Sequence, residues 1–214
     1  MNRTRIVVLI SGSGSNLQAI IDAVKTGDIQ AELCAVISNR PNVLGLERAE
    51  KAGITTVTLD HKEFESRDAY DAALMNKIES FTPDLVVLAG FMRILTPSLV
   101  QKFKGKMLNI HPSLLPKYQG LNTHQRAIDA GDSVHGVSVH FVTEELDGGP
   151  VIVQAKVDIL PNDTADTLAQ RVHQQEHIIY PLVVKWFSEQ RLTMEAHYAV
   201  LDDKELPPEG AQYN

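Results

Sequence analysis

The sequence predicts an α/β protein built on a mostly parallel, twisted sheet with helices on both faces. Three observations carry that expectation. Through the first half of the chain, short apolar runs alternate with segments whose apolar residues recur at helical spacing, the pattern of consecutive strand–helix units. Glycine or proline closes most of these segments, where a helix must stop and the chain must turn. At 214 residues the chain is long enough to bury roughly 70% of its unfolded surface, a core that needs neither disulfides nor metals.

The elements follow in order. Arg5–Ile10 reads as a buried strand, and Leu17–Lys25 as a helix with Leu17, Ile20, Ile21 and Val24 on one face and Gly27 just past its end. Glu32–Ile37 is a second strand, Leu44–Ala52 a helix ending at Gly53, and Ile54–Leu59 a third strand. Ser66 is placed to cap a helix that runs to Phe81 and is stopped by Pro83. Leu85–Phe91 is a continuous apolar strand, Thr96-Pro97 opens a short helix with proline in its first turn, and Met107–Ile110 leads into His111-Pro112. This is a Rossmann-like N-terminal half. After the Pro- and Gly-rich loop Pro112–Gly120 come two longer strands, Gly136–Val142 and Val151–Leu160, joined by the turn-rich Glu144–Pro150. Asp163 then caps a long helix with Asp166 in its first turn, which Pro181 kinks or interrupts near Trp186. No repeat or interdomain linker is evident. The reading is one domain over 1–214, with an α/β lobe over 1–105, a second lobe over 106–206 and a frayed tail over 207–214.

Composition limits the function. The net charge of −7 argues against a broad nucleic-acid surface, although backbone N–H groups still bind a small anion locally. Cys34 is the single cysteine, so no intrachain disulfide forms, which suits a reducing cytoplasm. It reads as a buried strand residue. No run approaches the ~20 apolar residues of a membrane span.

The first strand ends in Ser11-Gly12-Ser13-Gly14-Ser15-Asn16, directly before a helix. Glycines permit a tight turn, and the helix start offers unpaired N–H groups and partial positive charge, so the loop suits a phosphate. A dinucleotide fingerprint fails, because Leu17 stands where its third glycine belongs. A mononucleotide-like phosphate is the better fit, with a turn that only caps the helix as the alternative.

Asn109 and His111 alternate along one strand and so share a face. An amide donor beside an imidazole suits acyl transfer, the amide holding an oxyanion while the imidazole moves protons. Asp147, before Gly148-Gly149-Pro150, sits on a tight loop, where its carboxylate is able to keep a neighbouring imidazole charged. Taken singly, each is as easily a packed histidine or a simple turn. No G-x-S-x-G elbow is present, which disfavours a serine hydrolase. His173-Gln174-Gln175-Glu176-His177 matches an H-x-x-E-H zinc pattern, but so short a match arises easily in a polar helix, and no metal is expected.

At these residues the chain resembles a known family. Ile10–Asn16, Leu88–Leu95, Leu108–Lys117 and Gly136–Ile152 are similar to segments of the phosphoribosylglycinamide formyltransferases, folate-dependent enzymes of purine synthesis, in their monofunctional bacterial form. The resemblance runs from Arg5 to Pro208 and implies the formyltransferase fold. It implies catalytic roles for Asn109, His111 and Asp147. It implies a ribonucleotide phosphate loop of Gly12, Ser13, Gly14, Ser15 and Asn16, with Glu176 on the ribose. It implies a formyl-folate pocket of Arg67, Met92, Arg93, Ile94, Leu95, Asn109, Val142 and Asp147, with Ser138 and His140 supporting Asp147 or serving only as a structural strand pair. Ser13, Gln119, Asn122 and His173 depart from the residues usual there. The implied reaction moves the formyl group of 10-formyltetrahydrofolate to the amine of glycinamide ribonucleotide. The implied protein is a cytoplasmic monomer or weak homodimer with small-molecule partners, no nucleic acid, no membrane and no metal. A formyltetrahydrofolate hydrolase and a non-catalytic folate- or nucleotide-binding module are the competing readings.

Overall fold

A computed structural model describes residues 3–213, and the chain divides into two compact units, Met1–Leu108 and Asn109–Asn214. The first is a run of strand–helix units: β1 (Thr4–Ile10), α1 (Ser15–Thr26), β2 (Ala31–Ser38), α2 (Leu44–Lys51), β3 (Thr56–Thr58), a 3-10 turn (His61–Glu63), α3 (Arg67–Glu79), β4 (Leu85–Leu88) and α4 (Pro97–Lys102). Its strands lie in the order β4-β1-β2-β3, and β1 pairs parallel with both β2 and β4, as β2 does with β3. A parallel sheet covered on both sides needs apolar residues at consecutive positions, not alternate ones. Ile6–Ile10 supply this, each of the five being 0% exposed.

β5 (Met107–His111) leads into the second unit, which holds α5 (Thr123–Asp129), β6 (Val134–Phe141), β7 (Val151–Asp158) and α6 (Ala165–Ser188). The strands β8 (Leu192–Glu195), β9 (Tyr198–Leu201), β10 (Lys204–Glu205) and β11 (Ala211–Tyr213) follow. β6 and β7 are antiparallel, β11 pairs parallel along Val153–Ala155 of β7, and β8–β10 form a small antiparallel sheet. The α/β class and the prevalence of parallel pairing are as the sequence predicts.

Five local expectations are corrected. The strand read as Leu85–Phe91 ends at Leu88, because Gly90 takes a left-handed φ of 74° and turns the chain. The cap of α6 is Thr164, not Asp163: the Thr164 hydroxyl accepts from the Thr167 N–H, and the Thr167 hydroxyl accepts from the Thr164 N–H. Asp163 instead receives the Arg171 guanidinium. Pro181 neither interrupts nor ends α6. It removes one backbone donor, while Ile179 and Tyr180 before it and Val183 and Val184 after it are all 0% exposed, so burial on both sides holds the helix. The tail over 207–214, expected to fray, carries β11. Cys34 lies in β2 as expected but is half-buried.

Candidate active site

The first unit carries the glycine loop. Gly14 has a left-handed φ of 70° and stands at the start of α1, which begins at Ser15 and not at Leu17. The loop's carbonyls are tied back onto α2. The Gly45 N–H donates to Gly12 O at 3.0 Å and Arg48 Nε donates to Ser13 O at 2.8 Å. Gly45 has to be a glycine, since a Cβ there meets Ile10 Cδ1 at 2.4 Å and Gly12 O at 3.0 Å. The hydroxyl of Ser11 donates to Asn39 Oδ1 at 2.5 Å and accepts from the Met92 N–H at 2.8 Å. It thereby joins the glycine loop to the 91–96 loop. Arg93 stacks on the Tyr70 ring, 4.5 Å from its centroid, and the Thr96 N–H donates to Asp71 Oδ2 at 2.6 Å. Among the described residues, Arg93 Nε is buried with no hydrogen-bond partner, while Met92 and Ile94 are 61% and 55% exposed. A loop that offers apolar surface beside an unused donor fits an amphipathic heterocycle. Arg67, the first residue of α3, is exposed.

In the second unit, Asn109 lies on β5, His111 ends that strand, and His111 is buried. The Tyr118 carbonyl lies 2.8 Å from His111 Nε2. A carbonyl only accepts, so Nε2 carries a hydrogen and donates it. Nδ1 faces Asp147 Oδ2 at 3.5 Å, with both side chains 8% exposed. That separation exceeds the roughly 2.7–2.9 Å of a closed charge-assisted bond, so the carboxylate faces this edge of the ring without sealing it. Asp147 takes a left-handed φ of 49°, which Asp tolerates better than most residues. Its Oδ2 accepts the Gly120 N–H at 3.0 Å, and its carbonyl accepts from Gln119 Nε2 at 3.2 Å. The 118–120 segment thus holds the imidazole and the carboxylate at once.

His140 is the third partner. Its Nδ1 donates to the Phe141 carbonyl at 2.8 Å, and burial, the largest influence, pushes its imidazole pKa below the ordinary value. It is therefore neutral with a lone pair on Nε2, which accepts from Asn109 Nδ2 at 3.4 Å and lies 3.8 Å from Asp147 Oδ1. His140 orients the amide as well as standing beside the acid. Ser138 does not touch Asp147. Its hydroxyl donates to Ser113 O at 2.7 Å and accepts from the Leu115 N–H at 3.0 Å, which corrects the expectation that it supports the acid. Val142 is half-buried just after β6, and Glu176 is buried on α6. His173 and His177 stack with centroids 6.5 Å apart. Among the described residues, no group of three or more His, Cys, Asp or Glu is disposed to hold a metal ion.

Tyr118 and the 124/135 histidine pair escaped the sequence reading. The only signal in the sequence was the density of His, Tyr and Arg over 118–135. His124 Nδ1 lies 3.1 Å from His135 Nε2. Burial, and then His124, lowers the His135 pKa to about 4, and burial likewise lowers that of His124. A histidine whose folded pKa is depressed binds more protons unfolded, so stability is full above the unfolded value of about 6.5 and is lost as pH falls toward the folded value. The midpoint of urea unfolding should therefore drop between pH 7 and pH 5, with a loss of up to about 2 kcal/mol of stability from His135 alone. His135→Gln should flatten that drop. A wild-type midpoint independent of pH across this window refutes the assignment.

An Asn and a His on one strand with a facing Asp suit acyl transfer, and the chain belongs to the formyl transferase family, which it matches over residues 4–184. It is 58% identical over 205 residues to the phosphoribosylglycinamide formyltransferase of Escherichia coli, covering 96% of this chain and 97% of that one. It is 48% identical over 183 residues to the human trifunctional purine biosynthetic protein adenosine-3, covering 86% of this chain and 18% of that longer protein. The solved phosphoribosylglycinamide formyltransferase of Coxiella burnetii superposes with a TM-score of 0.95 at 51% identity, over the whole of both chains. Among the described residues no helix is long and apolar enough to cross a membrane.

Proposed function

We propose that this chain transfers the formyl group of 10-formyltetrahydrofolate to the amine of glycinamide ribonucleotide in purine biosynthesis, in the cytoplasm, as a monomer or weak homodimer. The observation that carries the reading is the pairing of His111 Nδ1 with Asp147 at 3.5 Å beside an amide oriented by His140, in a chain closely similar to enzymes of that name. Gly12–Asn16 bind the ribonucleotide phosphate, and Glu176 binds its ribose. Arg67, Met92–Leu95 and the Val142–Asp147 turn hold the folate.

The neutral amine attacks the formyl carbon, and a C–N bond forms as the carbonyl π pair moves to oxygen. Asn109 Nδ2 and the Nδ1–H of His111 donate to that oxyanion. Donors already in place act where charge develops, without reorganising as the barrier is crossed. Asp147, opposite Nδ1, compensates the imidazolium and orients the water that carries the amine proton to the departing folate nitrogen. The intermediate collapses, the bond from formyl carbon to folate nitrogen breaks, and no covalent enzyme intermediate forms. Holding the two substrates together accounts for much of the rate, up to about 7–11 kcal/mol in well-oriented systems.

The test follows the absorbance of the deformylated folate with and without the ribonucleotide. Release that requires the ribonucleotide supports transfer. Release without it means hydrolysis, and no release under either condition means a binding module; either result overturns the proposal.

A further inference from the structure

We propose that Gln154 is a positioning residue for this reaction: its side-chain amide fixes the 113–118 segment and, through the Tyr118 carbonyl, sets the tilt of the His111 ring. The inference rests on the role given to His111 above.

Gln154 is only 4% exposed and lies on β7 directly opposite Ser138 of β6, with Gln212 of β11 on its other side. Its backbone is thus paired on both edges, and the side chain projects from a fixed base. Nε2 donates to Leu115 O at 2.8 Å and to Ser138 Oγ at 3.1 Å. The directions of all four bonds in this knot follow from the groups themselves. The Leu115 N–H donates, and the carbonyls of Ser113 and Leu115 accept. Ser138 therefore spends its one hydrogen on Ser113 O, and the two hydrogens of Gln154 serve Ser138 Oγ and Leu115 O. No other residue of this size supplies two hydrogens from one neutral planar nitrogen. The segment is shaped around the knot. A Cβ on Gly136 would meet Leu114 Cδ2 at 2.7 Å, so that glycine makes room for it.

The knot reaches the reacting ring in three steps. The Ser113 N–H donates to His111 O at 2.8 Å, the Ser113 hydroxyl donates to Lys117 O at 2.6 Å, and the next carbonyl along, Tyr118 O, takes the His111 Nε2 hydrogen at 2.8 Å. Freeing Leu115 O allows the segment to shift, and the anchor at Nε2 shifts with it. Nδ1, at the other end of the ring, then points away from the oxyanion.

The test uses the full chain. Gln154→Met keeps length and volume but supplies no hydrogen. Its kcat should fall about 10- to 100-fold, the cost of a misplacement near 1 Å. The KM for the ribonucleotide should hold within about threefold, since that substrate's loop makes no part of the knot. The slowly exchanging Nε2–H resonance of His111, identified by its loss in His111→Ala, should broaden or vanish. A merely structural role for Gln154 would move the unfolding midpoint and leave that resonance alone. Full turnover in Gln154→Met beside an inactive His111→Ala overturns the proposal, whereas an active His111→Ala overturns the reading of the site beneath it. If Gln154→Met does not fold, Ser138→Ala carries the test. The same kcat loss and the same loss of signal are expected, and wild-type values of both overturn the proposal.

Discussion

His111→Ala should reduce kcat by about three to four orders of magnitude with both KM values within a few-fold of wild type. The magnitude follows from two lost contributions: one oxyanion donor, about 10²–10³, and a positioned proton-bearing group, about 10²–10⁴, which overlap because one ring supplies both. Asn109→Ala loses only a donor and should fall by about 10²–10³. The double variant should be little worse than His111→Ala, since residues that act as a unit are not additive. Stability must be read beside turnover. Removing the ring leaves the Tyr118 carbonyl without its donor, a cost of about 1–3 kcal/mol that leaves a chain of this size folded. Single-turnover rates with both substrates saturating separate the chemical step from binding. A His111→Ala protein that turns over within tenfold of wild type removes the imidazole from the chemistry.

What was legible in the sequence shares one property: a local pattern under a local rule. Continuous burial in a parallel strand shows in Ile6–Ile10, alternation puts Asn109 and His111 on one face, and Ser66 sits where a cap belongs and does accept from the Ala69 N–H. The roles that were missed depend on partners distant in sequence. Tyr118 matters to the site through a backbone carbonyl, which any residue possesses. His140 is expected beside Asp147 or as a plain strand residue, but its hold on the amide of Asn109, 31 positions away, has no signal in Gly-Val-Ser-Val-His-Phe. Gln154 reads as one polar residue in an apolar strand until Leu115, 39 positions earlier, is set against it. β11 is three residues with no periodic signal. It forms because β7 offers an unpaired edge and because Gly210 approaches Ile152 closely enough that a Cβ would lie 2.6 Å from its carbonyl carbon. Pro181 illustrates the converse, a strong local rule overruled by burial on both sides of it.

Gly149→Ala should be the most damaging small substitution in the second unit, and Gly148→Ala, one residue earlier, nearly silent. A Cβ on Gly149 would lie 1.8 Å from the Phe141 carbonyl oxygen and 2.9 Å from its carbon. That carbonyl belongs to the end of β6 and already accepts from His140 Nδ1, and the Phe141 N–H donates to Pro150 O at 3.0 Å. Neither side has a flexible group to move, so the 147–150 turn must lift from the strand. Asp147, two residues away, leaves Nδ1 of His111 and the Gly120 N–H together. A stability loss of about 2–4 kcal/mol is expected, in the range of backbone strain and broken buried hydrogen bonds, with kcat down at least about 100-fold. At Gly148 the three atoms nearest an added Cβ all belong to the Glu145 side chain, its Cδ at 2.4 Å. Glu145 is exposed and swings into solvent, so a change within about 0.5 kcal/mol is expected. Denaturant midpoints and turnover of the two variants, measured side by side, decide the matter. Equal effects at the two positions mean that the turn adapts freely and that Asp147 is not held by its contact with β6.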